Sequence, residues 1–375
     1  MKNKKITFTS IVKNEESNII KCLESIKNFC DYFVVVDTGS TDNTVKVVKD
    51  FFKENNLKGK VVEEKWQNFA YNRTFALDTA RKDFDAEYIL MLDADEVLHY
   101  PSDFDVASFK NKLTVDVYDL KTDLDVIYYR PLLINRNLKC FYKSILHEYL
   151  EVPDDFVRER ANDIWVTSDL SGFRSSQGDD KFKKDAQTLE KALKTEKDPF
   201  LISRYTFYLA QSYRDSGNYI EAIKNYRKRT TQGFWDEEIF ESYYAMAECY
   251  KSLNEKPQIV MTTYLQAFEA CPTRAESLYS LSLYCRLKDW FNLSYMYAKM
   301  AIQIPYPENG LFVQKWIYDY GIKDELGISA YWTERYKESL DLTNELLDEN
   351  LFPEDQLKRI KDNKDFAVEK VYGKK

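Results

Sequence analysis

The first ninety residues alternate between short apolar runs and segments in which apolar side chains recur every three or four positions. The predicted strands are residues 6–12, 32–36, 60–62 and 87–92. The predicted helices are residues 15–27, 41–52 and 69–80. Because such alternation is typical of a mostly parallel sheet covered by helices, the pattern predicts an α/β domain.

Between residues 115 and 133 the pattern changes to strand-like runs rich in Tyr, Val and Ile. Successive strands without a helix between them predict a hairpin, which would extend the sheet as a mixed sheet. We therefore expect residues 1–178 to form a Rossmann-like mixed sheet flanked by helices.

From about residue 179 only helical patterns follow, starting with a helix over 182–195. The segment RYTFYLAQSYRDSGNYIEAIKNY pairs two helices around Gly217, and looser copies follow it, the last over 331–347. Such copies resemble tetratricopeptide repeats of about 34 residues, although ordinary antiparallel helix packing also uses small and aromatic residues in this way. Residues 179–375 are predicted to form an all-α helical-repeat domain.

Composition and charge limit the number of domains and the kinds of partner that the chain can have. The 375 residues and their 44% hydrophobic content suit two cores, and a net charge of -8 opposes binding to a nucleic-acid backbone. The six cysteines form no C-x-x-C pair, so we expect reduced thiols. Because no apolar stretch reaches the roughly 20 residues of a membrane span, we expect no transmembrane segment and a cytoplasmic protein.

The strongest chemical signal is YILMLDADEVL, in which an apolar strand ends at Asp93, Ala94, Asp95 and Glu96. Ligands of open α/β sheets bind at the carboxyl ends of strands. If strand geometry continues, Asp93 and Asp95 point to the same side, and their oxygens suit Mn²⁺ or Mg²⁺. A solvated loop is the alternative, but the chain has neither a P-loop nor a G-x-G-x-x-G motif to bind phosphate instead.

A second signal is FVVVDTGSTDNT, in which a strand delivers Asp37 to a polar turn. Asp37 can accept a hydrogen bond from a uracil-like base or from a ribose hydroxyl. Ser40 or Thr41 is expected to cap the next helix, with Asp42 and Asn43 in its first turn. Only Asp37 is kept as a ligand candidate.

Four segments, TSIVKNEESNIIKCLESI, VVVDTGSTDNT, NRTFALDTA and LMLDADE, together resemble the family 2 glycosyltransferases of the GT-A fold over about residues 6–96. FYKSILHEYLE and the repeats extend the resemblance to a subgroup with tetratricopeptide repeats. The resemblance implies metal-dependent, inverting transfer of a hexosyl or N-acetylhexosaminyl group. The donor would be a UDP-sugar, with GDP- or dTDP-sugars as alternatives, and the acceptor a glycan or a polypeptide.

The resemblance also implies site residues. Those implied in nucleotide binding are Ile11, Asp37, Arg73, Asp93, Ala94 and Asp95. Ile11 would contact the base through its backbone, Asp37 would bind the base, and Arg73 would reach the base or the diphosphate. Asp93 would bind the ribose or the metal, and Asp95 would be the principal metal ligand. Thr74 stands where the family has Asn and is assigned no role.

Four further residues are candidates for the expected site. His147 is a candidate metal ligand, with a partly buried structural histidine as the alternative; the missing second His opposes a zinc peptidase. Inversion needs a carboxylate that takes the acceptor's proton. Glu148 is the first choice, and Glu96 the second, with orientation of the metal loop as its other role. Arg174 could clamp a released diphosphate or lie on the surface.

Two other classes of function fit fewer residues. In a non-catalytic interaction protein the repeats would bind a peptide and the α/β domain would be degenerate, which the intact Asp37, Arg73, Asp93 and Asp95 oppose. A nucleotidyltransferase would carry a Gly-rich, basic loop after the first strand, and TSIVKNEE is not such a loop.

Overall fold

A computed structural model describes residues 4–123, 127–168 and 180–373. The chain divides into two compact units, Met1–Ala192 and Leu193–Lys375. The sequence had placed the boundary between residues 178 and 179. Within the described ranges, no helix combines the length and the apolar character needed to cross a membrane.

The first unit is built on a mixed sheet of eight strands and a separate pair of strands. The strands are β1 Ile6–Val12, β2 Tyr32–Asp37, β3 Gly59–Glu63, β4 Tyr88–Met91, β5 Glu96–His99, β6 Val117–Asp123, β7 Ile127–Asn135, β8 Phe141–Lys143, β9 Tyr149–Glu151 and β10 Arg158–Ser168. The helices are α1 Ile19–Ile26, α2 Thr44–Glu54, α3 Phe69–Asp83, α4 Val106–Lys112 and α5 Asp180–Leu193. The order in the large sheet is β3-β2-β1-β4-β7-β6-β10-β5, and β8 pairs with β9.

Strands β3, β2, β1 and β4 run parallel, with Val12 beside Asp37 and Thr9 beside Met91. Their side chains alternate between two apolar layers. Phe33 belongs to the layer packed with α1 and α2, whereas Val34 belongs to the layer packed with α3. Since both faces are covered, β2 and β4 are apolar over nearly their whole length, as is typical of parallel strands, whereas β1 also buries Thr7, Thr9 and Ser10. The predicted α/β fold is therefore confirmed.

The predicted hairpin is confirmed as the antiparallel pair β6 and β7, in which Tyr118 lies opposite Leu133. The β7 strand also pairs antiparallel with β4, so the hairpin joins the parallel strands and makes the sheet mixed. Two helices begin later than the spacing predicted: α1 starts at Ile19 instead of residue 15, and α2 at Thr44 instead of residue 41. The residues ahead of both helices form loops.

The second unit is all helical in its described residues. Its helices are α6 Pro199–Asp215, α7 Tyr219–Arg229, α8 Asp236–Ser252, α9 Pro257–Ala270, α10 Glu276–Arg286, α11 Phe291–Ala301, α12 Ile322–Trp332, α13 Tyr336–Glu349 and α14 Leu357–Tyr372. A short π-helical turn, Ile317–Gly321, leads into α12. Four successive helical hairpins, from α6/α7 to α12/α13, precede the final helix.

One turn geometry recurs in all four hairpins. Each turn holds one residue in the left-handed region, and these residues are Gly217, Asn254, Asp289 and Glu334. The following N–H donates to the carbonyl five positions earlier, over 2.8 to 3.0 Å. This is the Schellman end of a helix, which satisfies orphan carbonyls. Its recurrence at equivalent places supports a repeated unit, as the sequence predicted.

Two buried arginines anchor the repeats. Arg229 and Glu238 form a 3.1 Å ion pair with both side chains almost completely buried. The guanidinium of Arg274 contacts three carboxylates, those of Glu237, Glu241 and Glu276. Burial raises the pKa of Glu241 to about 8, and the opposing pull of Arg274 does not cancel that shift.

Candidate active site

Two loops interlock at the carboxyl ends of β1 and β2. The N–H of Asn14 donates to Ser40 Oγ over 3.0 Å, and the N–H of Thr41 donates to Asn14 Oδ1 over 2.7 Å. The N–H of Glu15 donates to Thr44 Oγ1 over 2.8 Å. Each loop thus satisfies backbone groups of the other, which holds this edge of the sheet rigid.

The capping prediction for Ser40 and Thr41 is wrong. The helix begins at Thr44, and the N–H of Thr44 donates to Asp42 Oδ1 over 3.0 Å. Asp42 therefore takes the capping role, and Ser40 accepts from the neighbouring loop instead. The loops around Asn14 and Ser40 pair with each other, so Ser40 and Thr41 do not cap the helix. A single segment of sequence cannot indicate such a pairing.

Asp37 lies at the last position of β2 and is 5% exposed. Its carboxylate accepts from the N–H groups of Gly39 over 3.1 Å and Ser40 over 3.2 Å. Gly39 has φ 105°, a conformation that favours glycine and lets the turn fold back onto the carboxylate. A carboxylate has about four acceptor positions, so capacity for a ligand remains. Ile11 lies beside Val36, on the adjacent strand.

The Asp93–Glu96 segment is a tight turn. The N–H of Glu96 donates to the carbonyl of Asp93 over 3.1 Å, and Glu96 Oε2 accepts from the N–H of Asp93 over 2.8 Å. Ala94 is buried within the turn. The strand ends at Met91, so the expectation that strand geometry continues through Asp95 is wrong. The chain turns here because Glu96 begins β5, which pairs antiparallel with β10.

Arg73, on α3, joins two candidate residues. Its Nη2 donates to Asp93 Oδ1 over 2.5 Å, and its Nε lies 2.6 Å from Glu148 Oε1. Burial tends to lower the pKa of this guanidinium, whereas Asp93 and Glu148 raise it, and the net pKa is raised. Among the residues that the structure describes, the Nε–H has no well-aligned acceptor. Arg73 is thus charged, mostly buried and paired with two carboxylates.

The β8–β9 hairpin brings Glu148 to this place. Its first strand is attached to α3, since the N–H of Tyr142 donates to Thr74 Oγ1 over 2.9 Å. On the same helix, Arg81 donates to the carbonyl of Cys140 over 3.1 Å. Thr74 therefore has a structural role, which the sequence did not assign to it. Because Arg73 and Thr74 are adjacent on α3, this attachment sets Glu148 beside Arg73.

The loop between β8 and β9 is conformationally unusual. Ser144 has φ 91° and His147 has φ 53°, both in a region that L-residues rarely adopt. Ser144 Oγ donates to the carbonyl of Leu146 over 2.5 Å. His147 is exposed on this loop, directly before Glu148. Such backbone strain is found preferentially at functional sites.

Arg130 was not identified from the sequence. It lies on β7 and pairs through Nη2 with Glu96 Oε1, while its Nε donates to Thr122 Oγ1 over 3.0 Å. Glu96 is 4% exposed; burial raises its pKa, Arg130 opposes this, and Asp93 adds to it. A buried carboxylate such as that of Glu96 indicates that a cation lies nearby. Only the pairing of strands distant in sequence shows that this cation is Arg130.

The structure thus brings together Arg73, Asp93, Glu96 and Glu148 around one edge of the sheet. The carboxylates of Asp93 and Glu148 pair with Arg73, that of Glu96 pairs with Arg130, and Asp95 belongs to the same turn as Asp93 and Glu96. The described residues contain no group of three or more His, Cys, Asp or Glu close enough to hold a metal ion. Arg174 lies outside the described residues.

Part of the first unit is similar to known glycosyltransferases. Residues 9–123 match the family described as glycosyl transferase family 2. An uncharacterized glycosyltransferase of Rickettsia typhi is 37% identical over 95 residues, which are 25% of this chain and 29% of that protein. The SPbeta prophage-derived glycosyltransferase SunS of Bacillus subtilis is 38% identical over 93 residues, 24% of this chain and 20% of SunS. The chain thus spans less than a third of the length of these relatives.

Solved structures of low identity resemble one or both units. The crystal structure of S. aureus TarS 1-349 in complex with UDP-GlcNAc has a TM-score of 0.37 and 14% identity, covering 72% of this chain and 90% of that one. The crystal structure of MamA has a TM-score of 0.37 and 16% identity, covering 50% of this chain and 97% of that one.

Proposed function

We propose, from the membership of residues 9–123 in glycosyl transferase family 2, that the chain transfers a hexosyl or N-acetylhexosaminyl group from a UDP-sugar to a glycan or polypeptide hydroxyl with inversion. The observation that carries the proposal is the position of Arg73 between Asp93 and Glu148 at the carboxyl edge of the sheet. A cation and carboxylates converge there, where α/β sheets bind ligands.

The donor nucleotide is assigned to the strand ends. Asp37 and the backbone of Ile11, at the ends of adjacent strands, would contact the base. Arg73, a mostly buried cation at this edge of the sheet, would bind the diphosphate. Asp37 can accept from the N–H of uracil, but also from that of thymine or guanine, so UDP is preferred among the three nucleotides only on the family resemblance.

A divalent cation suits the acidic side of the site. Asp93 and Asp95 supply the hard carboxylate oxygens that Mn²⁺ and Mg²⁺ prefer, and such sites use one or two carboxylates with substrate phosphates. When bound, the ion would stabilise negative charge on the departing diphosphate. A charge pair at about 4 Å contributes about 4 kcal/mol at an effective dielectric constant of about 20, against about 1 kcal/mol for a neutral hydrogen bond. Among the described residues His147 does not join Asp93 and Asp95 in a three-residue metal group, so the substrate's phosphates would supply the remaining ligands.

Glu148 is the proposed general base. Both oxygens of Glu96 already have partners, Asp93 N–H and Arg130, so Glu96 would orient the turn instead. Among the described residues, Glu148 pairs with Arg73, a cation that a diphosphate would attract away. Glu148 would then accept the proton of the acceptor hydroxyl as that oxygen attacks the anomeric carbon.

Nucleotide binding tests this function directly. UDP, GDP and dTDP are titrated into the full chain with and without Mn²⁺, by thermal shift and calorimetry. UDP with Mn²⁺ should stabilise the protein by about 2.7 kcal/mol at 100 times its Kd, and more than the other two nucleotides. Absence of a response to any nucleotide would exclude the proposed donor site.

The alternative, a non-catalytic binding protein, predicts a different pair of results. UDP would still bind, but no UDP would be released from UDP-sugars either by hydrolysis or by transfer. Measuring UDP release from UDP-glucose and UDP-N-acetylglucosamine over hours separates the two functions, because transferases usually hydrolyse their donor slowly when the acceptor is absent.

The second unit is proposed to select the acceptor, since helical repeats offer extended binding surfaces. A chain ending at Lys197 would retain the first compact unit. It should keep slow hydrolysis of the donor and lose transfer. Unchanged transfer would remove the repeats from acceptor recognition.

A further inference from the structure

The ion pair between Arg130 and Glu96 supports the Asp93–Glu96 turn and has no assigned role in donor binding. Glu96 divides its carboxylate between two partners: Oε2 accepts from the N–H of Asp93 over 2.8 Å, and Oε1 pairs with Arg130. Glu96 therefore connects the backbone of the turn to a side chain from β7. Neither contact uses the side chain of Asp93 or Asp95.

Arg130 is itself fixed by the next strand. Its Nε donates over 3.0 Å to the hydroxyl of Thr122, which is completely buried on β6. The ring of Tyr128 lies 5.9 Å from the guanidinium carbon. A continuous set of polar contacts thus runs from the β6–β7 hairpin through Arg130 and Glu96 to the backbone of Asp93.

We propose that Arg130 is a positioning residue for donor binding: through Glu96 it holds the Asp93–Asp95 turn in the conformation that presents both aspartates to a metal–diphosphate. This inference rests on the proposed function. A buried carboxylate that loses its cation is strongly destabilised and turns toward water. Glu96 would then release the N–H of Asp93, and the turn would lose the bond that sets its shape.

A direct role for Arg130 makes a different prediction. If the guanidinium touched the donor, replacing Arg130 would weaken binding whether or not Glu96 were present. If Arg130 acts through Glu96, the two substitutions remove the same contact, so their effects should not add. The double-mutant cycle therefore separates positioning from contact.

The experiment measures UDP affinity by calorimetry on the full chain, with and without Mn²⁺, for wild type, Arg130→Met, Glu96→Gln and the double variant. We expect each single variant to weaken Mn²⁺-dependent UDP binding about 10- to 100-fold, as loss of a partner that orients a metal ligand does. The double variant should be no weaker than the weaker single variant. UDP binding without metal should change less than threefold.

Two further variants control for misfolding. Thr122→Val removes the anchor of Arg130 at nearly constant volume and should weaken binding in the same direction by a smaller factor. Arg160→Met replaces another arginine of the same sheet, one that lies 3.9 Å over the ring of Tyr129, and should leave affinity unchanged. Near-wild-type circular dichroism and thermal midpoint identify the variants that are folded.

Two outcomes overturn the inference while the proposed function stands: wild-type binding by a folded Arg130→Met chain, or additive losses in the double variant. If Arg130→Met does not fold, the UDP affinity of Thr122→Val is compared with that of wild type. Unchanged affinity in Thr122→Val then overturns the inference. Failure of the proposed function is distinct, because it already appears as absent nucleotide binding by the wild-type chain.

Discussion

Nε of Arg73 lies 2.6 Å from Oε1 of Glu148, so the candidate diphosphate ligand and the candidate general base form an ion pair. The same guanidinium donates to Asp93 over 2.5 Å. An anionic ligand that attracts Arg73 would therefore change the surroundings of both carboxylates together. In the proposed function, binding of the donor and release of the base would be coupled through Arg73.

Glu148→Gln should lower the transfer rate by about 10²- to 10⁴-fold, the usual contribution of a general base, and should leave the affinity for UDP within a few-fold of wild type. The amide cannot take a proton at neutral pH, but it keeps the size of the side chain. Steady-state transfer rates and calorimetric UDP titration measure the two effects.

Glu151→Gln, on the same hairpin, is the matched control and should retain wild-type rates. An unchanged transfer rate in Glu148→Gln would assign the base elsewhere.

Asp95→Asn should abolish the Mn²⁺-dependent part of UDP binding with the fold intact. The substitution removes one negative charge from a turn whose hard oxygens are proposed to hold the ion. Thermal shift with UDP, with and without Mn²⁺, measures the loss. Asp103→Asn, which changes an exposed aspartate, should behave like wild type. A full metal response in Asp95→Asn would contradict the assignment.

Glu241 should make the stability of the second unit depend on pH. Burial raises its pKa to about 8, from an ordinary value of 4.5, so the folded chain binds this proton more tightly than the unfolded chain. The stabilising contribution is fully present below pH 4.5 and is lost as pH rises toward about 8. Urea unfolding of wild type and Glu241→Gln across this range should show the difference.

In Glu241→Gln the decline between pH 5 and pH 8 should be smaller than in wild type, because the amide does not titrate. Glu255→Gln, at an exposed position, should keep the wild-type profile. Parallel profiles for wild type and Glu241→Gln would show that Glu241 titrates alike in both states.

Arg229→Met should destabilise the chain by about 3–5 kcal/mol, because it removes the closer cation of the buried Glu238 carboxylate and leaves only the 3.4 Å contact with Arg204. The midpoint of urea unfolding measures the loss. The Lys337–Asp341 pair, at 2.7 Å on the surface of α13, supplies the comparison: Lys337→Met should not shift the midpoint measurably. Equal shifts of the urea midpoint in the two variants would mean that burial of the Arg229–Glu238 pair does not increase its effect on stability.

Several features of the site required the fold to be seen. Arg130 reaches Glu96 only because β7 enters the sheet beside β4, and no local pattern around residue 130 indicates this. Likewise, Ser40 accepts from Asn14, a partner 26 residues away, instead of capping its own helix. In both places a tertiary contact satisfies a polar group that would otherwise remain unpaired. At Ser40 this contact also replaces the local preference for capping the helix.

The sequence by itself determined the two fold classes, the positions of the first strands along the chain and the carboxylates at strand ends, because periodicity and end-of-strand placement are local properties of the chain. Only the tertiary structure decided which charges meet: Arg73 with Asp93 and Glu148, and Arg130 with Glu96. Electrostatic pairing depends on distances of a few ångströms between residues far apart in sequence, and folding alone sets those distances.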